Sequence, residues 1–435
     1  MHKKHVAVLL IVLLIIIFGY FMSFKNTVTN GKYYENKPSK TEIRISLNCS
    51  SQDRKGQVYQ EIINNYNKEH DDVIIQNHYV PGNDYFSRVK VDFASGNEAD
   101  IFITWPGITV NRFSNKEKIV DLRRELDKDF KWHNGFDKSV WKYVSEDDKI
   151  LGLPLVKTYA AMFVNTDVLQ SVGIEIPKTY EQLKKSIPTL RASGITPIAF
   201  DISDEGLLLY RYIAGLLGGK FNASNIQDNG VPNEYYVQAA EYIKELYNLG
   251  AFSEDLFTMT KNESDHLFMT KKAAFIVRYS DFLETVDKNV LLDSVSIEPF
   301  PGFETGLSTD RAILYGVGTD TIFVSSKNWN NEEMRDKILS VVKYFTSEEV
   351  AYYIAENMGS VPAVKIKTAP TKAKNMVYQK NYDFISKANQ IIDFSNYYID
   401  ADVLLHIAER FPSFLENKNT IYDVWEYAYN YVMDK

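Results

Sequence analysis

A single cysteine, Cys49, is all the thiol that the 435 residues contain, so no intrachain disulfide forms and no thiolate metal site can be assembled. Histidine is nearly as scarce: seven residues are scattered along the chain without the spacing of a helical zinc motif. No G-x-S-x-G elbow, no P-loop and no G-x-G-x-x-G after a strand is present, which removes the usual signatures of hydrolase nucleophiles and nucleotide cofactors. No cofactor is implied. A surplus of basic charge is also missing. The net charge of −8 and pI near 5.5 leave no concentrated basic face for phosphates, so nucleic acid is not an expected partner. A neutral or cationic small ligand is easier to accommodate.

What is present describes a globular chain. Hydrophobic residues make up 45% and charged residues 24%, a balance that buries a core and argues against disorder. The length predicts about two domains. Aromatics reach 14%, with 29 tyrosines, enough to supply stacking surfaces as well as core.

At the N-terminus, His2, Lys3, Lys4 and His5 precede an apolar run from Val6 to Phe24 that approaches the roughly 30 Å needed to cross a bilayer. The basic flank predicts a cytoplasmic N-terminus with the bulk of the chain outside. A cleaved signal sequence is the competing reading, but residues 19–25 are mostly bulky where cleavage wants an A-x-A-like site. An uncleaved anchor over 1–25 is therefore expected, followed by a flexible tether over 26–40.

Beyond the tether the pattern is repeated strand, loop, helix and strand. TEIRISLN (41–48) alternates as a strand, VYQEIINNYNKEH (58–70) has helical spacing, and DVIIQNHYV (72–80) and ADIFITWPG (99–107) are further strands. This is an open α/β unit, whose ligands sit at the C-terminal ends of its strands. The stretch 148–200, rich in Gly, Pro, Tyr and Thr, leads to a second α/β unit beginning at PIAF (197–200). Later, LYGVGTDTIFVSS (314–326) reads as a strand and MRDKILSVVKYFTSEEVAYYIAEN (334–357) as one helix broken at Gly359, with mostly helical sequence to Lys435.

Five motifs in order then carry a resemblance. FASGNEADIF (93–102), DKILGLPL (148–155), FVNTDVLQSVGIEIPKTYEQL (163–183), MTKKAAFIV (269–277) and KYFTSEEVAYYIAENMGSVPAV (343–364) resemble the landmarks of the extracellular solute-binding proteins of carbohydrate ABC importers, the family that includes maltose-binding protein. Ala99 stands where that family usually has Pro, Lys271 or Lys272 where it has Gly, and the lipid-bearing Cys of Gram-positive members is missing.

The resemblance implies an α/β, two-lobed periplasmic-binding-protein fold of type II. It places one lobe over 41–156 and 319–366 and the other over 161–315 and 369–435. Hinge crossings are expected near 157–160, 316–318 and 367–368. It also implies a monomeric receptor at the outer face of the membrane, which closes on a sugar or oligosaccharide and presents it to ABC permease subunits. The alternatives are a membrane-tethered ligand sensor on the same fold and a carbohydrate-active enzyme, whose paired carboxylates would be recognised by geometry.

Sugars offer flat apolar faces edged by hydroxyls, so an aromatic platform and polar side chains at strand ends are the candidates. Trp105 is expected to stack, with Thr104 beside it, or else to pack as core. Ser51 and Gln52 either donate to hydroxyls or serve a turn and cap. Thr158 and Tyr159 touch ligand at the crossing or pack the hinge. Asp201 is a polar contact or a helix cap, and Arg278 with Tyr279 a contact loop or, for Arg278, a salt bridge. Gly316 allows close backbone approach or simply bends its strand.

Overall fold

The computed structural model of the protein describes residues 40–82, 84–107, 110, 117–219, 231–285, 292–304, 312–318, 320–371 and 375–433. The N-terminal apolar run and most of the tether lie outside them. Among the described residues no helix is long and apolar enough to cross a membrane.

In β1 (Thr41–Leu47) alternation turns Ile43, Ile45 and Leu47 inward until they are fully buried, each contributing about 1.5–3 kcal/mol. Asp53 caps α1 (Arg54–Glu69) by accepting the Gly56 amide at 2.6 Å. The helix packs Val58, Tyr59, Ile62, Ile63 and Tyr66 inward. β2 (Val73–Tyr79) pairs parallel to β1, α2 (Asp84–Ser95) follows, and β3 (Ile101–Thr104) pairs parallel on the other side of β1. β4 (Gly152–Pro154) closes the first pass, and one residue later the long β5 (Val156–Asn165) begins in a different sheet. The chain thus leaves one layer at Pro154 and enters the other at Val156.

The second unit continues with α3 (Tyr180–Ala192), whose Thr179 and Gln182 form a capping box, β6 (Thr196–Ala199), and helices α4 (Leu208–Gly218), α5 (Glu234–Asn248) and α6 (Lys261–Met269). β7 (Ala273–Tyr279), β8 (Val295–Glu298) and β9 (Ala312–Val317) complete its centre. The chain then returns through β10 (Thr321–Val324), which pairs antiparallel with both β3 and β4. Among the described residues two large sheets result, beside a small hairpin of Ser145–Glu146 with Lys149–Ile150; the first large sheet is ordered β2-β1-β3-β10-β4. The other runs through β9-β5-β7-β6, with β8 also on β5; a short β11 (Val361–Pro362) joins β5, and β12 (Gln390–Ile392) joins β9.

Two expectations change. Residues 314–326 are not one strand: β9 ends at Val317, β10 begins at Thr321, and the two belong to different sheets. Residues 334–357 are not one helix, because Ser347 accepts the Val350 amide and starts a new helix between α7 (Glu332–Phe345) and α8 (Glu348–Asn357). The C-terminal part is helical as expected: α9 (Met376–Ser386), α10 (Ala401–Leu415) and α11 (Ile421–Met433). Its Trp425 is buried against Tyr236 and donates to the Tyr210 hydroxyl at 3.1 Å, so that ring is core.

Candidate functional site

Strand ends from both sheets converge on one cavity of about 350 Å³. The first sheet contributes Asn48, just past β1; Lys55, on the first turn of α1; Trp105 and Pro106, past β3; and Asp320, ahead of β10. The second contributes Thr158 from β5, Ser203 to Glu205 from the loop past β6, Lys261 from α6, and Tyr279, Ser280, Asp281 and Glu284 at and beyond the end of β7. Asn396 joins from the segment after β12. Carboxyl ends of strands are where open α/β sheets bind ligands.

The walls touch through rings. Trp105 meets Tyr279 with centroids 5.4 Å apart, and Phe394 edge-on at 5.5 Å. Both Trp105 and Tyr279 keep surface toward the cavity. Gly107 allows this approach: its φ is +119°, and a Cβ there would stand 2.6 Å from the Asn396 carbonyl oxygen. Lys142 bonds Asp393 at 2.7 Å, and Lys90 pairs with Asp402, both joining the segments that carry the two walls.

Three of the ten expected residues meet at the cavity: Trp105, Thr158 and Tyr279. The other side chains are placed differently, and each for a physical reason. Ser51 and Gln52 are exposed in the turn ahead of α1, bonded to one another and to Ser50, and do not line the cavity. Thr104 is buried in β3 opposite Thr321. Tyr159 is the neighbour of Thr158 on a strand, so it points to the other face, where its hydroxyl donates to Asn381 at 2.5 Å and its ring meets Phe384 at 4.6 Å. Gly316 makes room for Tyr397, whose hydroxyl lies where a Cβ would fall, accepting from the Val317 amide at 2.8 Å and donating to its carbonyl at 2.7 Å.

Asp201 and Arg278 are wholly internal. The guanidinium bonds Asp201 at 2.5 Å and Asp265 at 2.8 Å, and Ser264 completes the cluster by donating to Asp201 at 2.6 Å. Burial works against the Asp201 charge, yet Arg278 and the Ser203 and Ser264 hydroxyls hold its carboxyl below the usual range. The ion pair stands behind the loop 203–205 and braces it; it does not line the cavity.

Charge in the cavity itself falls mostly on residues absent from the expectation. Asp320 accepts from the Tyr59 hydroxyl at 2.5 Å and pairs with Lys55 at 3.0 Å. Burial would lower Lys55, but Asp320 beside it carries the balance upward. Asp204 pairs with Arg211 at 2.6 Å, and Lys261 with Asp265 at 2.8 Å and Glu205 at 3.6 Å. Enclosure pushes the Glu205 carboxyl up to about 7, against the pull of Lys261 and Arg278 and with repulsion from Asp281. Asp281 and Glu284 are raised too, first by enclosure and with Asp320 repelling both, against the pull of Lys55 on both and of Lys261 on Asp281. Ser360 donates to Glu284 at 2.7 Å.

Signals for some of these residues existed. Ser280 and Asp281 directly follow Tyr279, and Asn48 is the first residue beyond β1, at the strand edge that Ser51 and Gln52 were expected to share. Lys55, Lys261 and Asn396 come from helices and a distant segment, and no local pattern marks them.

Among the described residues no cluster of His, Cys, Asp and Glu is arranged to hold a metal ion. The arrangement suits non-covalent capture: a ring wall for an apolar face, acceptors for hydroxyls, and contacts from both sheets.

Comparison with known proteins agrees with this geometry. A family model described as bacterial extracellular solute-binding protein matches residues 50–352. The melibiose/raffinose/stachyose-binding protein MelE of Bacillus subtilis is 22% identical over 313 residues, covering 69% of this chain and 70% of that protein. Among solved structures, one described under xylan utilisation by Caldanaerobius polysaccharolyticus superposes with a TM-score of 0.77 at 20% identity, over 90% of this chain and 100% of that one. The maltose-bound MalE3 of T. maritima gives 0.73 at 17% identity, over 91% and 99%.

Proposed function

Because the chain belongs to the bacterial extracellular solute-binding proteins, a family of two-lobed extracytoplasmic binding proteins and not enzymes, we propose that it captures a sugar or oligosaccharide between its lobes and delivers it to an ABC import system. The observation that carries the ligand class is the Trp105 and Tyr279 wall, set in a cavity whose other groups are hydrogen-bonding side chains. Relatives named for melibiose, raffinose, stachyose and maltose favour the same class.

In this reading lobe 1 takes residues 41–156 and 319–366, and lobe 2 takes 161–315 and 369–435. Closure is driven by a ligand that touches both, since a ligand with equal affinity for open and closed states shifts nothing. The receptor acts as a monomer, tethered by the N-terminal apolar segment, and permease and ATPase are separate chains.

Thermal unfolding of the full-length protein against a panel of oligosaccharides, amino acids and polyamines tests the reading. A carbohydrate at a hundredfold excess over Kd should stabilise the folded state by about 2.7 kcal/mol. A shift with amino acids or polyamines and with no carbohydrate overturns it. Consumption of a glycan by the purified protein would instead make it an enzyme.

A further inference from the structure

The cavity just described is unbalanced in charge. Five carboxylate side chains line it, Asp204, Glu205, Asp281, Glu284 and Asp320, against three ammonium groups, those of Lys55, Lys157 and Lys261. Each ammonium is engaged: Lys55 by Asp320 at 3.0 Å, Lys157 by Asp137 at 2.9 Å, and Lys261 by Asp265 at 2.8 Å. Asp281 and Glu284, beyond Tyr279 along the chain, have no salt-bridge partner among the described residues. Asp281 is open to the cleft, and Glu284 accepts only a neutral hydroxyl, from Ser360 at 2.7 Å.

A second observation points the same way. Asn396 lines the cavity, and its Oδ1 is buried without a hydrogen-bond donor among the described residues. A buried acceptor that is left unsatisfied is costly, and this one belongs to a residue of the cavity wall, where a small shift would let it meet a ligand's donor. Donors that also carry positive charge bond carboxylates roughly twice as strongly as neutral hydroxyls do.

We propose that Asp281 and Glu284 make the cleft selective for a carbohydrate carrying a basic amino group, its ring on the Trp105 and Tyr279 wall and its ammonium between the two carboxylates. This deepens the carbohydrate reading and rests on it. With Asp320 repelling both carboxylates and Glu284 half-buried, an ammonium adds the positive charge that Lys55 and Lys261 supply only in part, where a neutral hydroxyl adds none.

The test is titration calorimetry of the full-length protein with matched sugars that differ only in amino groups replacing the 2-hydroxyls, one per ring, or in free amines against their N-acetyl forms. Glucosamine with glucose, and the glucosamine dimer with cellobiose and with its diacetylated form, are suitable; spermidine is the sugar-free cation. The amino member should bind about tenfold tighter, and the margin should shrink as salt is raised. Asp281→Asn and Glu284→Gln keep side-chain shape and remove a costly charge, so both variants should melt no lower than the parent. Each should reduce the margin to under about threefold, whatever it does to the neutral sugar's own affinity.

Neutral sugars binding as tightly as their amino partners overturn the proposal and leave the carbohydrate reading intact. An amino preference unchanged in both variants overturns the assignment to these carboxylates. Spermidine binding with no response to any sugar overturns the carbohydrate reading itself, and the proposal with it.

Discussion

Arg278 and Tyr279 are neighbours at the end of one strand, and they serve opposite sides of the wall. Arg278 turns inward, where Asp201, Asp265 and Ser264 surround it and nothing of it reaches the cavity. Tyr279 lies against Trp105 with its edge on the cavity, and two residues on comes Asp281, which has no salt-bridge partner among the described residues. The same chemistry, carboxylates and cations a few residues apart, is fully paired behind the wall and left open in front of it. Satisfied charge makes a brace, and unsatisfied charge makes a recognition surface.

The strongest way to break this contrast is Arg278→Met. It leaves Asp201 buried without a counter-charge and Asp265 with Lys261 alone, and denaturant unfolding should show a loss of roughly 3–5 kcal/mol. Ligand affinity of the protein that remains folded should stay within about threefold. Equal loss of binding would mean that the brace and the recognition surface are one unit.

Trp105→Ala attacks the open side. It should weaken carbohydrate binding by about 2 kcal/mol, near thirtyfold by calorimetry, with a smaller loss of ligand-free stability. A large loss of stability with binding intact would assign Trp105 to the core that it touches through Phe394.

A pH series sharpens the comparison. Glu205, Asp281 and Glu284 have folded-state pKa values above those of the unfolded chain, which lie near 4. The stability such groups contribute is complete below that unfolded value and is lost as pH rises through the folded one, about 7 for Glu205. From these groups, the melting temperature of the ligand-free protein should rise as pH falls from about 8 to about 5. Behind the wall Asp201 has the opposite sign: its pKa is held low, so its contribution is present above the unfolded range and fades only as pH falls below about 4.

The smallest effect belongs to Cys49, buried at the edge of the first sheet, where desolvation pushes its thiol up to about 12. Iodoacetamide at neutral pH should leave it unmodified in the folded protein and alkylate it promptly in denaturant.

Much of the fold was legible because it is written in short periods. The inward Ile43, Ile45 and Leu47, the helical spacing of Tyr59, Ile62 and Tyr66, and the capping residue Thr179 are local signals that tertiary structure left in place. Less local outcomes were hidden. Residues 314–326 read as one apolar strand from their local pattern; the family resemblance puts a crossing near 316–318, and the pairing lays Leu314 against β5 and Ile322 against β3. At the site, the rule that ligands meet strand ends pointed to Trp105 and Tyr279, and the expected crossing to Thr158, all three of which line the cavity. It also drew in Tyr159, Asp201 and Arg278, because it does not say which face of a strand, or which side of a loop, a residue takes.

The sequence by itself determined the two α/β units, the five ordered motifs and the aromatic residue after ADIFIT, since periodicity, turn chemistry and motif order are properties of neighbours along the chain. Only the tertiary structure decided which charges are spent on one another and which remain for a ligand. That choice depends on approach in space: Arg278 meets Asp201 from 77 positions away, and Asp320 claims Tyr59 across 261, while Asp281 is left facing the cavity. Pairing energy depends on distance and burial, which the order of residues does not contain.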